Sequence, residues 1–149
     1  MMARSGFVFG WILLLCAALL LGACAKKEED PLAALNVQVD HLMEALQTQH
    51  ISNAMAVLHP QFKAQDNLGQ DWARQTMTAM FLRYNNIGVR AMQRDARLAI
   101  GAREAAEVKG RLLLTGAEGV LPSNGNYVEI DSEWRLEDGQ WKLFRLRWQ

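Results

Sequence analysis

Side chains able to do chemistry are few, and their spacing does not assemble a reaction centre. The three histidines are His41, His50 and His59. His41 and His50 are nine residues apart, which does not make them neighbours on a helix. No HExxH or His-x-His pair occurs, so no metal site is expected. His59 stands before Pro60, where it is read as a helix-ending or loop residue; its functional alternative is a general base at a pocket mouth. There is no G-x-S-x-G, no phosphate loop and no glycine-rich dinucleotide fingerprint. Tyr84 is a pocket candidate, although a tyrosine at helical spacing also fits a core position. Asp95 and Asp131 are possible acids, but Asp131 alternates with an apolar set and should point to the other face of its sheet. No acid–base pair is assignable, no catalytic residue is named, and no cofactor is expected.

The two cysteines, Cys16 and Cys24, both lie in or at the end of an apolar leader. A basic residue, Arg4, precedes the uncharged run from Phe7 to Ala25, which closes on small residues, the layout of a secretory signal peptide. Leu21-Gly22-Ala23-Cys24 resembles the bacterial lipobox, where a lipoprotein signal peptidase cuts before a cysteine already carrying diacylglycerol. Two other readings compete: an uncleaved membrane anchor, since about 18 apolar residues span a bilayer, and cleavage nearby by an ordinary signal peptidase. A cysteine at the end of the run, just before Lys26-Lys27-Glu28-Glu29-Asp30, favours the lipobox. The resemblance implies lipidation at Cys24 and attachment to the membrane through that lipid. Residues 1–23 would be the signal peptide and residues 24–30 a lipidated tether. Cleavage would leave 126 of the 149 residues, without a free thiol or a disulfide. Ala25 after the lipidated cysteine, where Asp would favour the inner membrane, implies an outer-membrane lipoprotein facing the periplasm in a Gram-negative source.

Composition bounds what remains. Sixteen Lys and Arg balance sixteen Asp and Glu, and half of the residues are hydrophobic. A chain of this size and balance is one globular domain, not a disordered segment, and it lacks the positive charge of a general nucleic-acid binder.

The elements that must position any site follow from periodicity. Asp30-Pro31 is a helix start, and Leu32, Leu35, Val39, Leu42, Met43 and Leu46 mark one apolar face to about Gln49. A short helix is expected over Ser52 to His59, and a third over Asp71 to Asn85 with Ala73, Met77, Met80, Phe81 and Tyr84 on one side. The period then changes to two. Ile87, Val89 and Ala91 alternate on odd positions but Ala96, Leu98 and Ile100 on even ones, so a bulge is expected between Met92 and Asp95. Ala106 to Leu114 forms another strand and Gly116 to Asn126 a loop. Val128 to Leu136 and the terminal run from Trp141 pair about Asp138-Gly139, a strong hairpin signal. Three helices followed by about four antiparallel strands make an α+β domain over residues 31–149, with the helices packed on one sheet face.

With three helices in order, "LHPQF" ending the second of them, and the closing "EWRLEDGQWKLFRLRW", the domain resembles the nuclear transport factor 2-like superfamily, the cone-shaped fold grouped more broadly as cystatin-like. Asp138-Gly139-Gln140-Trp141 matches the D-G-x-W turn common between its last two strands. The superfamily includes isomerases, dehydratases, polyketide cyclases, transport factors and secretion-system components, so the fold does not choose a function. Its enzymes place Asp, His or Tyr inside the cone, and its exposed sheet face often forms a dimer.

An unbroken two-residue hairpin pairs Leu136 with Trp141, Trp134 with Leu143, Ser132 with Arg145 and Ile130 with Arg147. One face then carries Trp134, Leu136, Trp141 and Leu143 and grades into Arg145 and Arg147, making Trp134, Arg145 and Arg147 pocket candidates beside Tyr84. The other face carries Phe144, Leu146 and Trp148, which become interface candidates for a second copy or an envelope protein. The alternatives are that these residues pack beneath the N-terminal helix or that a bulged turn swaps the faces. Basic residues between Arg83 and Arg111 and acidic ones between Glu118 and Asp138 should pair across the sheet; an anion site at Arg145 and Arg147 is the weaker reading. The expectation is a lipid-anchored cell-envelope protein that binds a small apolar or anionic ligand, or a protein, without catalysis. The alternative is an envelope enzyme of the isomerase or dehydratase type using an apolar cone.

Overall fold

The computed structural model describes residues 30–116 and 126–149. The lipobox and most of the expected loop before Asn126 lie outside the described residues. Helix α1 (Pro31–Gln47) starts as its sequence dictates: Pro31 stands at the first turn, and the Asp30 carboxylate accepts the Leu32 N–H at 3.0 Å. Its buried stripe holds Leu35, Val39 and Ala45. Gln49, at φ 58°, turns the chain into α2 (Ile51–Val57). Among the described residues no helix is long and apolar enough to cross a membrane.

The second helix stops two residues short of His59, and Leu58–Ala64 is strand β1. This strand corrects the four-strand expectation. It pairs in parallel with the last strand, so the sheet is mixed and has five strands in the order β1-β5-β4-β3-β2. Leu58, Phe62 and Ala64 are buried and Pro60 is exposed. Proline lacks a donor for a sheet ladder but is tolerated on an edge, which is where β1 lies. Helix α3 (Gln70–Arg83) follows and turns Ala73 into the core, with Met77 packed against it and Met80 exposed.

Strands β2 (Ile87–Leu98), β3 (Ala105–Gly116), β4 (Asn126–Glu137) and β5 (Gln140–Trp148) form the expected antiparallel meander. Asp138 and Gly139 both have positive φ, 51° and 77°, the backbone of a type I′ turn between paired Glu137 and Gln140. The β2 bulge falls at Met92, between the pairs Ala91–Leu112 and Gln93–Arg111. A second bulge does swap the faces, but it lies within β5 and not at the turn. Leu143 pairs with Trp134, but the next pair is Arg145 with Glu133, so Phe144 is the extra residue. Ser132 therefore meets Leu146 and Ile130 meets Trp148, one place off the unbroken register. The core joins Leu35 and Val39 of α1 to Phe62, Val108, Trp134, Trp141 and Leu143, with Leu146 and Trp148 packed against it.

Candidate functional site

The helix-covered side of the sheet and its outer side use opposite chemistry. Inward stand Val89 and Ala91 of β2, Val108 and Leu112 of β3, Ile130, Ser132 and Trp134 of β4, and Leu143 and Leu146 of β5. Between them and Val39, Leu42, Met43 and Leu46 of α1 lies a cavity of about 120 Å³. Its wall is almost wholly apolar. The Trp134 indole N–H donates to Ser132 Oγ at 3.0 Å, and that hydroxyl donates to the Val108 carbonyl at 2.8 Å, so these polar atoms satisfy one another within the wall.

One ionisable side chain lines this cavity, Arg94. Counted without interruption from Val89 and Ala91, position 94 belongs to the outer phase. The extra residue at Met92 shifts it, so Arg94 joins Ala96 and Leu98 in the inner row. Opposite it stands Gly110. The bulge brings the Gln93 carbonyl to 2.7 Å from where a Cβ on residue 110 would sit, so only glycine fits. Arg94 Nη1 is 2.8 Å from Asp40 Oδ1 of α1; the arginine side chain is 28% exposed and the aspartate 60%. The pair thus marks the rim. The phase slip that predicted the bulge already carried the signal for Arg94, because the even positions from 94 to 98 turn inward. Ile100, expected in the same row, lies past the strand and is exposed.

The pocket candidates separate. Trp134 lines the cavity. Tyr84 is buried at the carboxyl end of α3, where its carbonyl accepts from Gln49 Nε2 at 2.7 Å, and it is not part of the cavity wall. Arg145 and Arg147 are on the outer side, because the Phe144 bulge reverses their direction; both reach Glu133 Oε1, at 3.1 and 3.4 Å. The same reversal places two of the three interface candidates on the helix side: Leu146 faces α1 across the cavity and Trp148 stacks on Trp72 with ring centres 5.9 Å apart. Phe144 stays outside, with the Arg135 guanidinium 3.3 Å from its ring centre and the edge-on His59 ring at 5.2 Å.

Across the outer side, Arg97 reaches Glu107, Lys109 reaches Asp131 and Arg111 reaches Glu129, at 3.7, 3.5 and 2.7 Å. Lys109–Asp131 and Arg111–Glu129 are the cross-strand pairs that the segregated charge foretold, whereas Arg97–Glu107 joins two residues of the basic segment itself. His59 lies in β1 and is buried. Its Nδ1 accepts the Gln61 N–H at 3.0 Å, leaving Nε2 to face Glu137 at 3.7 Å. His41 and His50, far apart along the chain, line one polar groove of about 490 Å³ with Glu44 and Lys142, because the turn at Gln49 folds α2 back on α1. Among the described residues no three His, Cys, Asp or Glu side chains come together as metal ligands.

No family model and no curated protein sequence matches the chain. Solved structures do match in shape. A protein with a cystatin-like fold from Caulobacter vibrioides is 13% identical, with TM-score 0.67 over 80% of this chain and 88% of that one. A nuclear transport factor 2-like protein from Pseudomonas putida KT2440 is 14% identical, with TM-score 0.65 over 80% and 87%. Hexachlorocyclohexane dehydrochlorinase LinA-type3 from Novosphingobium barchaimii LL02 is also 14% identical, with TM-score 0.63 over 78% and 84%. The same architecture therefore serves an enzyme as well as proteins of unknown function. With its three helices on a curved mixed sheet of five strands, this chain has the nuclear transport factor 2-like, cystatin-like fold.

Proposed function

We propose that the chain is a lipid-anchored cell-envelope protein, held at the outer membrane and facing the periplasm, whose cone binds a small apolar ligand without catalysis. The observation that carries the binding is the cavity wall, which offers hydrophobic surface and no Asp, Glu, His, Tyr or Cys side chain. General acid–base chemistry needs such a group within hydrogen-bond reach of the substrate. The dehydratase or isomerase alternative therefore has less support: the carboxylate at the rim, Asp40, is tied to Arg94, and Tyr84 lies elsewhere. Support for the anchor is the lipobox Leu21-Gly22-Ala23-Cys24.

A cavity of about 150 Å³ lined by aliphatic side chains holds benzene in an unrelated protein, and the cone is of that order. Benzene binding to the full chain in lipid nanodiscs, followed by ligand-observed NMR against empty nanodiscs, tests the pocket. Saturable binding that Ala91→Leu abolishes supports it, and a wild type that ignores benzene overturns it. For the anchor, radioactive palmitate should label the wild type and not Cys24→Ser; normal processing of that variant overturns lipidation.

A further inference from the structure

We infer that the ligand of the cone is a small apolar monocarboxylate, with its hydrocarbon end in the cavity and its carboxylate on Arg94 in the place now held by Asp40. The inference rests on the apolar-binding reading and adds the ligand's charged end to it.

Three observations carry it. First, Arg94 is the one charge on the inner side of β2 to β5 among the described residues, and it lines the cavity directly. Its stem lies against the apolar wall while the guanidinium, 28% exposed as a side chain, reaches Asp40 at the rim. The fold turns the arginine inward through a bulge, one whose backbone tolerates only glycine at the facing position 110. Second, the resident partner is easily displaced. Asp40 is 60% exposed on α1, and an ion pair with one member so wet contributes little to holding the fold, so exchanging one carboxylate for another costs little. Asp40 is in effect a stand-in for a ligand carboxylate: it meets Nη1, and the planar guanidinium has a fork of donors suited to gripping a carboxylate with two bonds. Third, charge and size select the ligand. One arginine beside an apolar wall neutralises one negative charge, whereas a dianion such as a phosphate monoester would bring an unbalanced charge to the rim. By the benzene comparison, the cavity takes an apolar group of about five carbons.

The test is calorimetric titration of the full chain in nanodiscs with hexanoate and with 1-hexanol, using empty nanodiscs as the blank. Hexanoate should bind at least tenfold more tightly than hexanol. Arg94→Met should bring hexanoate down to the hexanol affinity and leave hexanol unchanged. Asp40→Asn, a change on an exposed helix position, should tighten hexanoate severalfold by removing its competitor. Equal affinity for the two ligands in the wild type overturns the carboxylate assignment while leaving the apolar pocket standing, and so does unchanged hexanoate binding in Arg94→Met. If hexanoate, hexanol and benzene all fail to bind, the pocket itself is refuted and the carboxylate assignment falls with it. The comparison of the two ligands on the wild type needs no variant, so a misfolded substitution does not leave the question open.

Discussion

The two bulges of the sheet look alike in register and do opposite work. Each inserts one residue and reverses the direction of every side chain beyond it. In β5 the reversal serves packing: Leu146 and Trp148 move under the helices, and Arg145 and Arg147 move out to Glu133. In β2 it spends packing surface, since an arginine takes an inner position beside an apolar cavity. The extra residues differ as well. Phe144 is held between His59 and Arg135, whereas Met92 is 56% exposed and simply takes up the slack. A bulge explained by the contacts it makes is structural. One that places a charge against the core asks for a functional reason.

That contrast can be broken at either bulge. The largest effect should come from Leu146→Asp, which places a carboxylate against α1 and the core. It should cost about 3 kcal/mol or more in urea unfolding, while Arg147→Ala one position away should stay within about 0.5 kcal/mol. Similar losses from the two would mean that β5 runs without its bulge. Next comes Gly110→Ala, whose methyl group would meet backbone and not a movable side chain; a loss of about 2 kcal/mol is expected from the unfolding midpoint. Phe144→Ala should cost about 1.5 kcal/mol, because the ring is half-buried and loses both the guanidinium and the imidazole. The smallest change in stability belongs to Arg94→Met. Losing a half-exposed ion pair should shift the thermal midpoint by no more than about 0.5 kcal/mol would. A large loss there would make the β2 bulge as structural as the β5 one.

How much was legible varied from strand to strand for physical reasons. The Met92 bulge showed in the sequence because small and branched residues (Ile87, Val89 and Ala91, then Ala96 and Leu98) alternate cleanly on either side of it. The Phe144 bulge hid behind an aromatic residue that is apolar on whichever face it stands. Trp141, Leu143, Leu146 and Trp148 do change phase across it, but Phe144 made both faces look partly apolar and invited an interface in place of a slip. β1 was missed because Leu58-His59-Pro60 reads locally as a helix stop, and a parallel edge pairing with β5 leaves no turn signal between the partners. The hairpin turn, set by Asp138-Gly139 alone, was fully readable. Arg94 is harder to read because the unbroken hairpin register points to Arg145 and Arg147 as the inward arginines, and the β5 bulge turns those two out.

The order of the strands also sets a timetable. β5 comes last in the sequence yet lies inside the sheet, between β1 and β4. Until residues 140–148 are available, β1 has no ladder to join and the core lacks Trp141 and Leu143, two of its most deeply buried side chains. Closing that distant contact carries a larger loop-closure entropy cost than the hairpins between neighbouring strands. The parallel β1–β5 ladder and the closed core therefore form only once residues 140–148 can pack.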